Sequence, residues 1–132
     1  MGLSGNYTDS EFTQVSLVPS IYLVGDPISN VPQYSYSLNT RYDFDWSSSV
    51  AGFAYLEYNK QAGAYITLRV LGIHQKSSPI EQLNARVGAQ WADFSVNVFA
   101  RNLTNDLSGT TATIPGELDG QNRPRTLGVE FN

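Results

Sequence analysis

Between Tyr34 and Trp46 the chain alternates without an error. Even positions read Tyr34, Tyr36, Leu38, Thr40, Tyr42, Phe44 and Trp46; odd positions read Ser35, Ser37, Asn39, Arg41, Asp43 and Asp45. Successive side chains of a β-strand point to opposite sides, so this period of two describes a strand with one apolar and one polar face. At ~3.3 Å per residue it reaches roughly 40 Å. Strands in soluble domains usually stop at about 5–6 residues. Any fold for this chain has to accommodate a strand that is both long and one-sided.

The pattern recurs. Leu83, Ala85, Val87, Ala89 and Trp91 alternate with Asn84, Arg86, Gly88 and Gln90, and Phe94, Val96, Val98 and Ala100 alternate with Ser95, Asn97, Phe99 and Arg101. Only Ala92-Asp93 separates these two segments, which predicts a tight antiparallel hairpin. Residues 51–60 and 64–71 are expected to pair across Gln61-Ala62-Gly63. Residues 125–131 carry Leu127, Val129 and Phe131 on one face, and residues 3–12 read as a weaker strand. Residues 15–31, with Pro19, Gly25, Asp26 and Pro27, and residues 102–123, with Pro115 and the Asp119-Gly120 turn signal, are loops. Long connections of this kind are where binding residues gather. No amphipathic helix of normal length is present. The expectation is an all-β, antiparallel up-and-down β-barrel of about 7–8 long strands in meander order.

At 132 residues and 14.5 kDa the chain holds a single barrel domain or barrel fragment. A net charge of −4 leaves no basic surface for phosphates, so nucleic acid is not an expected partner. The absence of Cys excludes disulfides, thiolate metal sites and a cysteine nucleophile. No run approaches ~18 apolar residues, so no transmembrane helix is expected. Met1 to Asn6 lack the basic and apolar regions of a signal peptide.

Alternation leaves the direction of the apolar face open. In a water-borne barrel it points inward as the core; in an outer-membrane barrel it points to lipid, with Ser, Asn, Arg and Asp around a wet lumen. Strand length favours the second, as do aromatics near strand ends (Tyr34, Trp46, Trp91, Phe94), which suit interfacial girdles.

Four stretches carry a resemblance. Asn102-Leu103-Thr104-Asn105-Asp106 follows one strand directly; Leu83-Asn84-Ala85-Arg86-Val87-Gly88 leads to the turn Trp91-Ala92-Asp93. Pro124-Arg125-Thr126-Leu127-Gly128-Val129 closes the chain, and Gly25-Asp26-Pro27-Ile28-Ser29-Asn30-Val31-Pro32 precedes the long strand. In order and spacing these resemble the end of the barrel of TonB-dependent outer-membrane receptors, and the resemblance covers nearly the whole chain. It implies a C-terminal barrel portion of a siderophore- or nutrient-uptake receptor, located in the cell outer membrane. No counterpart of that family's plug domain or energy-coupling box is present, nor of the ~15 further strands of a 22-stranded barrel. Such a portion is not transport-competent alone. The sequence also stops at Phe131-Asn132, short of the family's terminal aromatic.

The alternative is a stand-alone, soluble small β-barrel that binds a small apolar ligand, with weak hydrolase-type activity at most. In that case Arg41, Arg69, Arg86 and Arg101 become surface, and an odd count of seven strands leaves edges that favour homo-oligomers. The ligand-contact candidates are Tyr34, Tyr36, Tyr42, Phe44 and Trp46, which would line an apolar cavity if turned inward. No catalytic residue, metal site or cofactor is identified. His74, the only histidine, has no recognisable triad partner and reads as a solvated loop residue. Asp43 and Asp45 share a face but read as its wet surface rather than an acid–base pair. Asp26, Asp106 and Asp119 are loop carboxylates without calcium-loop spacing. Asn102-Leu103-Thr104 matches a glycosylation acceptor, though the family turn explains it better.

Overall fold

The computed structural model describes residues 1–14, 21–109 and 120–132, and the points expected at Pro19, Pro115 and Asp119 fall outside them. The chain is all-β and antiparallel. Its strands are β1 (Gly2–Tyr7), β2 (Tyr34–Ser47), β3 (Val50–Gln61), β4 (Tyr65–Leu68), β5 (Ile73–Lys76), β6 (Ile80–Trp91), β7 (Phe94–Arg101) and β8 (Thr126–Phe131). A three-residue 3₁₀ turn, Arg69–Leu71, is the only helical element among the described residues. Six strands form one meander in the order β1-β2-β3-β6-β7-β8, and β4 and β5 form a separate hairpin.

The sheet does not close. Its edges β1 and β8 pair only with β2 and β7. The count of strands in the sheet is six rather than seven, because β4 and β5 leave it. The two edges therefore run antiparallel to each other, and parity is no obstacle to closure.

The long strand is as the alternation requires, and the Trp91↔Phe94 register leaves Ala92-Asp93 as a two-residue turn, with Ala92 at φ 45°. The expected pairing of residues 51–60 with 64–71 is not formed. β3 already has β2 and β6 as neighbours, and residues 62–79 depart from it. The departure has a local cause. Ala62 still donates to the Tyr34 carbonyl, but Ala64 donates to Ser77 Oγ and Ser77 donates back to the Ala64 carbonyl, pinching off a new hairpin. Gly63 sits so close to the Ser77 carbonyl that a Cβ would lie 1.9 Å from its oxygen. Only glycine fits that pinch.

Register sorts the sheet into two faces. On one, Thr40, Leu56, Ala85, Ala100 and Leu127 form a continuous rung, and Tyr42, Ala54, Val87, Val98 and Val129 form the next. Toward the short turns follow Phe44, Ala89, Val96 and Phe131, then Trp46, Trp91 and Phe94. Toward the loops lie Leu38, Tyr58 and Leu83, then Tyr36 with the Lys60–Glu81 ion pair, and finally Tyr34 opposite Tyr7. The other face carries Ser, Asn, Gln, Arg, Asp and Glu with Phe53, Tyr55 and Phe99.

The apolar face is the exposed one. In the loop-side half of β2 Tyr34, Tyr36 and Leu38 are exposed while Ser35, Ser37 and Asn39 are half-buried; toward the short turns both faces are exposed apart from half-buried Phe44. Among the described residues the only buried hydrophobic side chains are Ala62 and Ala64, whereas Asp26, Thr67, Asn97, Asn102 and Asn122 are buried. Cavities open on the polar side. The usual layering of a water-borne domain, apolar residues inside, is reversed.

Candidate functional site

The five aromatic candidates share one face of β2 but form two separate groups, divided by Leu38 and Thr40. Tyr34 and Tyr36 stack with ring centroids 6.3 Å apart, Tyr36 meets Tyr58 at 6.1 Å, Tyr42 meets Phe44 at 5.8 Å and Phe44 meets Trp46 at 5.7 Å. Both groups lie on the exposed apolar face, where Tyr42 is 70% and Trp46 66% exposed. Of the five, Tyr36 borders the cavity at the loop end of the polar face described below. Phe44 and Trp46 cover Gly52, whose added Cβ would meet Trp46 Nε1 at 2.2 Å.

The polar face has two zones. Its lower half, toward the short turns, is charged and ring-backed. Arg41 lies 4.1 Å over the Phe53 ring and pairs with Asp43 at 2.9 Å. Arg86 lies 5.7 Å and Arg101 5.2 Å from the Phe99 centroid, and Arg86 pairs with Glu130 at 3.2 Å. Phe53 and Phe99 can lie flat because the residues opposite them are Gly88 and Gly128. Both glycines belong to the sequence stretches singled out above. Asp43 is thus an ion-pair partner of Arg41, which supports its reading as wet surface. Of the four arginines grouped together by sequence, Arg69 is elsewhere, on the 3₁₀ turn of the separate hairpin.

Above the rung of Asn39, Glu57 and Asn84, the two rungs nearest the loops are neutral. One rung there runs Ser4, Ser37, Asn59, Gln82 across four strands, and the next runs Asn6, Ser35, Gln61, Ile80. Together with Asn122 these rungs border a cavity of about 590 Å³. Gly5, Tyr36 and Lys60 also border it, although they belong to a rung of the apolar face, where the Lys60 ammonium pairs with Glu81. Gln82 donates to Asn122 Oδ1 at 2.6 Å, tying the floor to the loop before β8.

That loop is fixed by Asn102, only 3% exposed and at φ 51°. Its Nδ2 donates to the carbonyls of Asp106 (2.9 Å) and Arg123 (2.7 Å), while its Oδ1 accepts from Thr104 Oγ1 and the Asp106 N–H. The Asn102 N–H is itself taken by Asn84 Oδ1. A side-chain amide with both hydrogens so engaged and no exposure is closed to glycosylation in the folded chain. Burial raises the Asp106 carboxyl pKa, but hydrogen bonds from Ser108 and from the Glu81 N–H outweigh it and leave the group below its ordinary value.

A second cluster joins residues 21–33 to the β4–β5 hairpin. Asp26, 4% exposed, accepts from Arg69 Nε at 2.9 Å and the Leu23 N–H at 2.7 Å, and its other oxygen pairs with Arg69 Nη2. These bonds hold its carboxyl down to about 2. His74 lies on β5 rather than in a loop, 2.9 Å from Thr67 Oγ1 and stacked on Tyr65 at 5.4 Å. It remains exposed. Sequence reasoning missed this cluster, since Asp26 and Arg69 stand far apart in the chain and no local rule pairs them. Among the described residues no group of three His, Cys, Asp or Glu side chains is placed to hold a metal. Comparison with protein families, curated proteins and solved structures gives no match to this chain.

Proposed function

We propose that this chain forms part of the wall of an outer-membrane β-barrel, with its apolar face against lipid and its polar face around a wet lumen. The observation that carries the reading is the exposed apolar face bounded by aromatics at both ends: Tyr7, Tyr34, Tyr36 and Tyr58 toward the loops, Phe44, Trp46, Trp91, Phe94 and Phe131 toward the short turns. Tyr34 and Trp46 stand about 40 Å apart along the strand, and a tilt of 35–45° shortens that to about 28–32 Å. That height matches a hydrocarbon layer of about 30 Å. An apolar face of this extent is otherwise an aggregation hazard in water. Unpaired edges at β1 and β8 call for further strands, because backbone groups in lipid have no water to bond.

The class of barrel comes from the four resembling stretches, which favour a TonB-dependent receptor for siderophore or nutrient uptake. Short turns after β2 and β6 with long connections at the opposite end are the asymmetry of such barrels, periplasmic and extracellular respectively. The test uses Trp46 and Trp91, the two tryptophans of the chain. Protein reconstituted in vesicles with lipids brominated at graded depths should show both indoles quenched most at the interfacial positions. Tryptophans unquenched at every depth, in a chain that stays monodisperse without detergent, would overturn the proposal.

A further inference from the structure

We infer that the cavity at the loop end of the polar face receives a neutral, polyhydroxylated solute of oligosaccharide type. The inference rests on the barrel-wall reading above, which places this cavity on the outward-opening side, and it names the substrate class. Chemistry of the floor carries it. The two rungs across β1, β2, β3 and β6 present hydroxyls and carboxamides at consecutive cross-strand positions, with Ile80 the one exception. Neighbouring strands stand about 4.8 Å apart, so four strands set these groups over about 14 Å, a span for more than one sugar ring. Ser, Asn and Gln each both donate and accept, as a sugar hydroxyl does.

The same floor disfavours other classes. Binding a phosphate or carboxylate calls for Arg or Lys, and the one ammonium at the cavity is held by Glu81. Of the arginines of the face, Arg41 and Arg86 lie in the lower zone, while Arg101 stands level with Asn39 and Glu57, one rung from the floor, with its guanidinium 5.2 Å from the Phe99 centroid. At about 590 Å³ the cavity is within the range of small-molecule sites.

Gln82 is tied to Asn122, so Ser37, Asn59 and Gln61 are the groups to alter. The test applies detergent-solubilised protein to an array of neutral and acidic glycans, with ferric citrate binding measured in parallel. Asn59→Leu and Gln61→Met keep side-chain size while removing polarity, and circular dichroism and Trp emission check that each variant stays folded. The expected result is saturable binding to neutral glycans, weakened about tenfold or more in each folded variant. Binding confined to acidic glycans or ferric citrate would overturn the inference, as would neutral binding untouched by both variants or no glycan bound at all. The brominated-lipid measurement scores the barrel reading separately, so failure of one is distinguishable from failure of the other.

Discussion

The phenyl ring of Phe99 on β7 lies directly opposite Gly128 on β8 and fills the place of a side chain there: a Cβ at 128 would stand 2.4 Å from Phe99 Cζ. Replacing Gly128 by Val should therefore cost about 1–3 kcal/mol through forced repacking. Phe99→Ala should relieve that clash, so the double variant loses less than the sum of the two single changes. Urea unfolding followed by Trp emission measures the coupling, and strict additivity would contradict the contact.

Asn102→Asp should destabilise the loop before β8 at least as much as Asn102→Ala. The amide nitrogen now donates to two carbonyls, and an oxygen in its place would face them with no hydrogen to share. Each buried group left without a partner costs about 1–3 kcal/mol. Hydrogen exchange of residues 102–109 and 120–125 reads the effect as faster exchange in both variants.

Acid should open the contact between residues 21–33 and the β4–β5 hairpin. The Asp26 carboxyl is held at about 2, below its ordinary 3.8, by the Arg69 guanidinium and the Leu23 N–H. A pKa lowered by folding means the stabilisation is complete above 3.8 and disappears as pH falls from there toward 2. Exchange at Leu23 and across residues 65–76 should rise in that window. In Asp26→Asn it should be fast already at neutral pH and insensitive to that window.

Charge on the apolar face should be tolerated by depth. Val87→Arg or Val98→Arg, at the middle rungs, should cost about 2–4 kcal/mol in a bilayer, and the same change at Phe94, at the short-turn edge, about 0–1 kcal/mol. Both figures refer to folding into lipid vesicles, titrated with denaturant. Equal costs at all three positions would contradict a lipid-facing surface.

Much of the architecture was legible because a period of two survives averaging over context. The strand through Tyr34 and Trp46, the hairpin at Ala92-Asp93 and the absence of any α-helix among the described residues followed from it. The pairing after Gln61 was misread because Gly63 looks like a hairpin turn locally, while its role is set by Ser77, which no local rule connects to it. The Asp26–Arg69 pair and the neutral rungs were invisible for a related reason. Each is assembled across strands, and only register tells that Ser4, Ser37, Asn59 and Gln82 stand side by side.

The sequence by itself determined that this chain makes long one-sided antiparallel strands, since alternation specifies a strand and separates two faces. It could not say which face is sheltered, because exchanging inside for outside leaves a period of two unchanged. Tertiary structure decided that. The rings of Phe53 and Phe99 pack over Gly88 and Gly128 on the polar side, and Asn102, Asn122 and Asp106 gather the loops there through hydrogen bonds. The tyrosines, tryptophans and valines on the opposite side are left uncovered. The physical reason is that hydrogen bonds and glycine-sized gaps act between residues distant in the chain, where only the register of neighbouring strands brings them together.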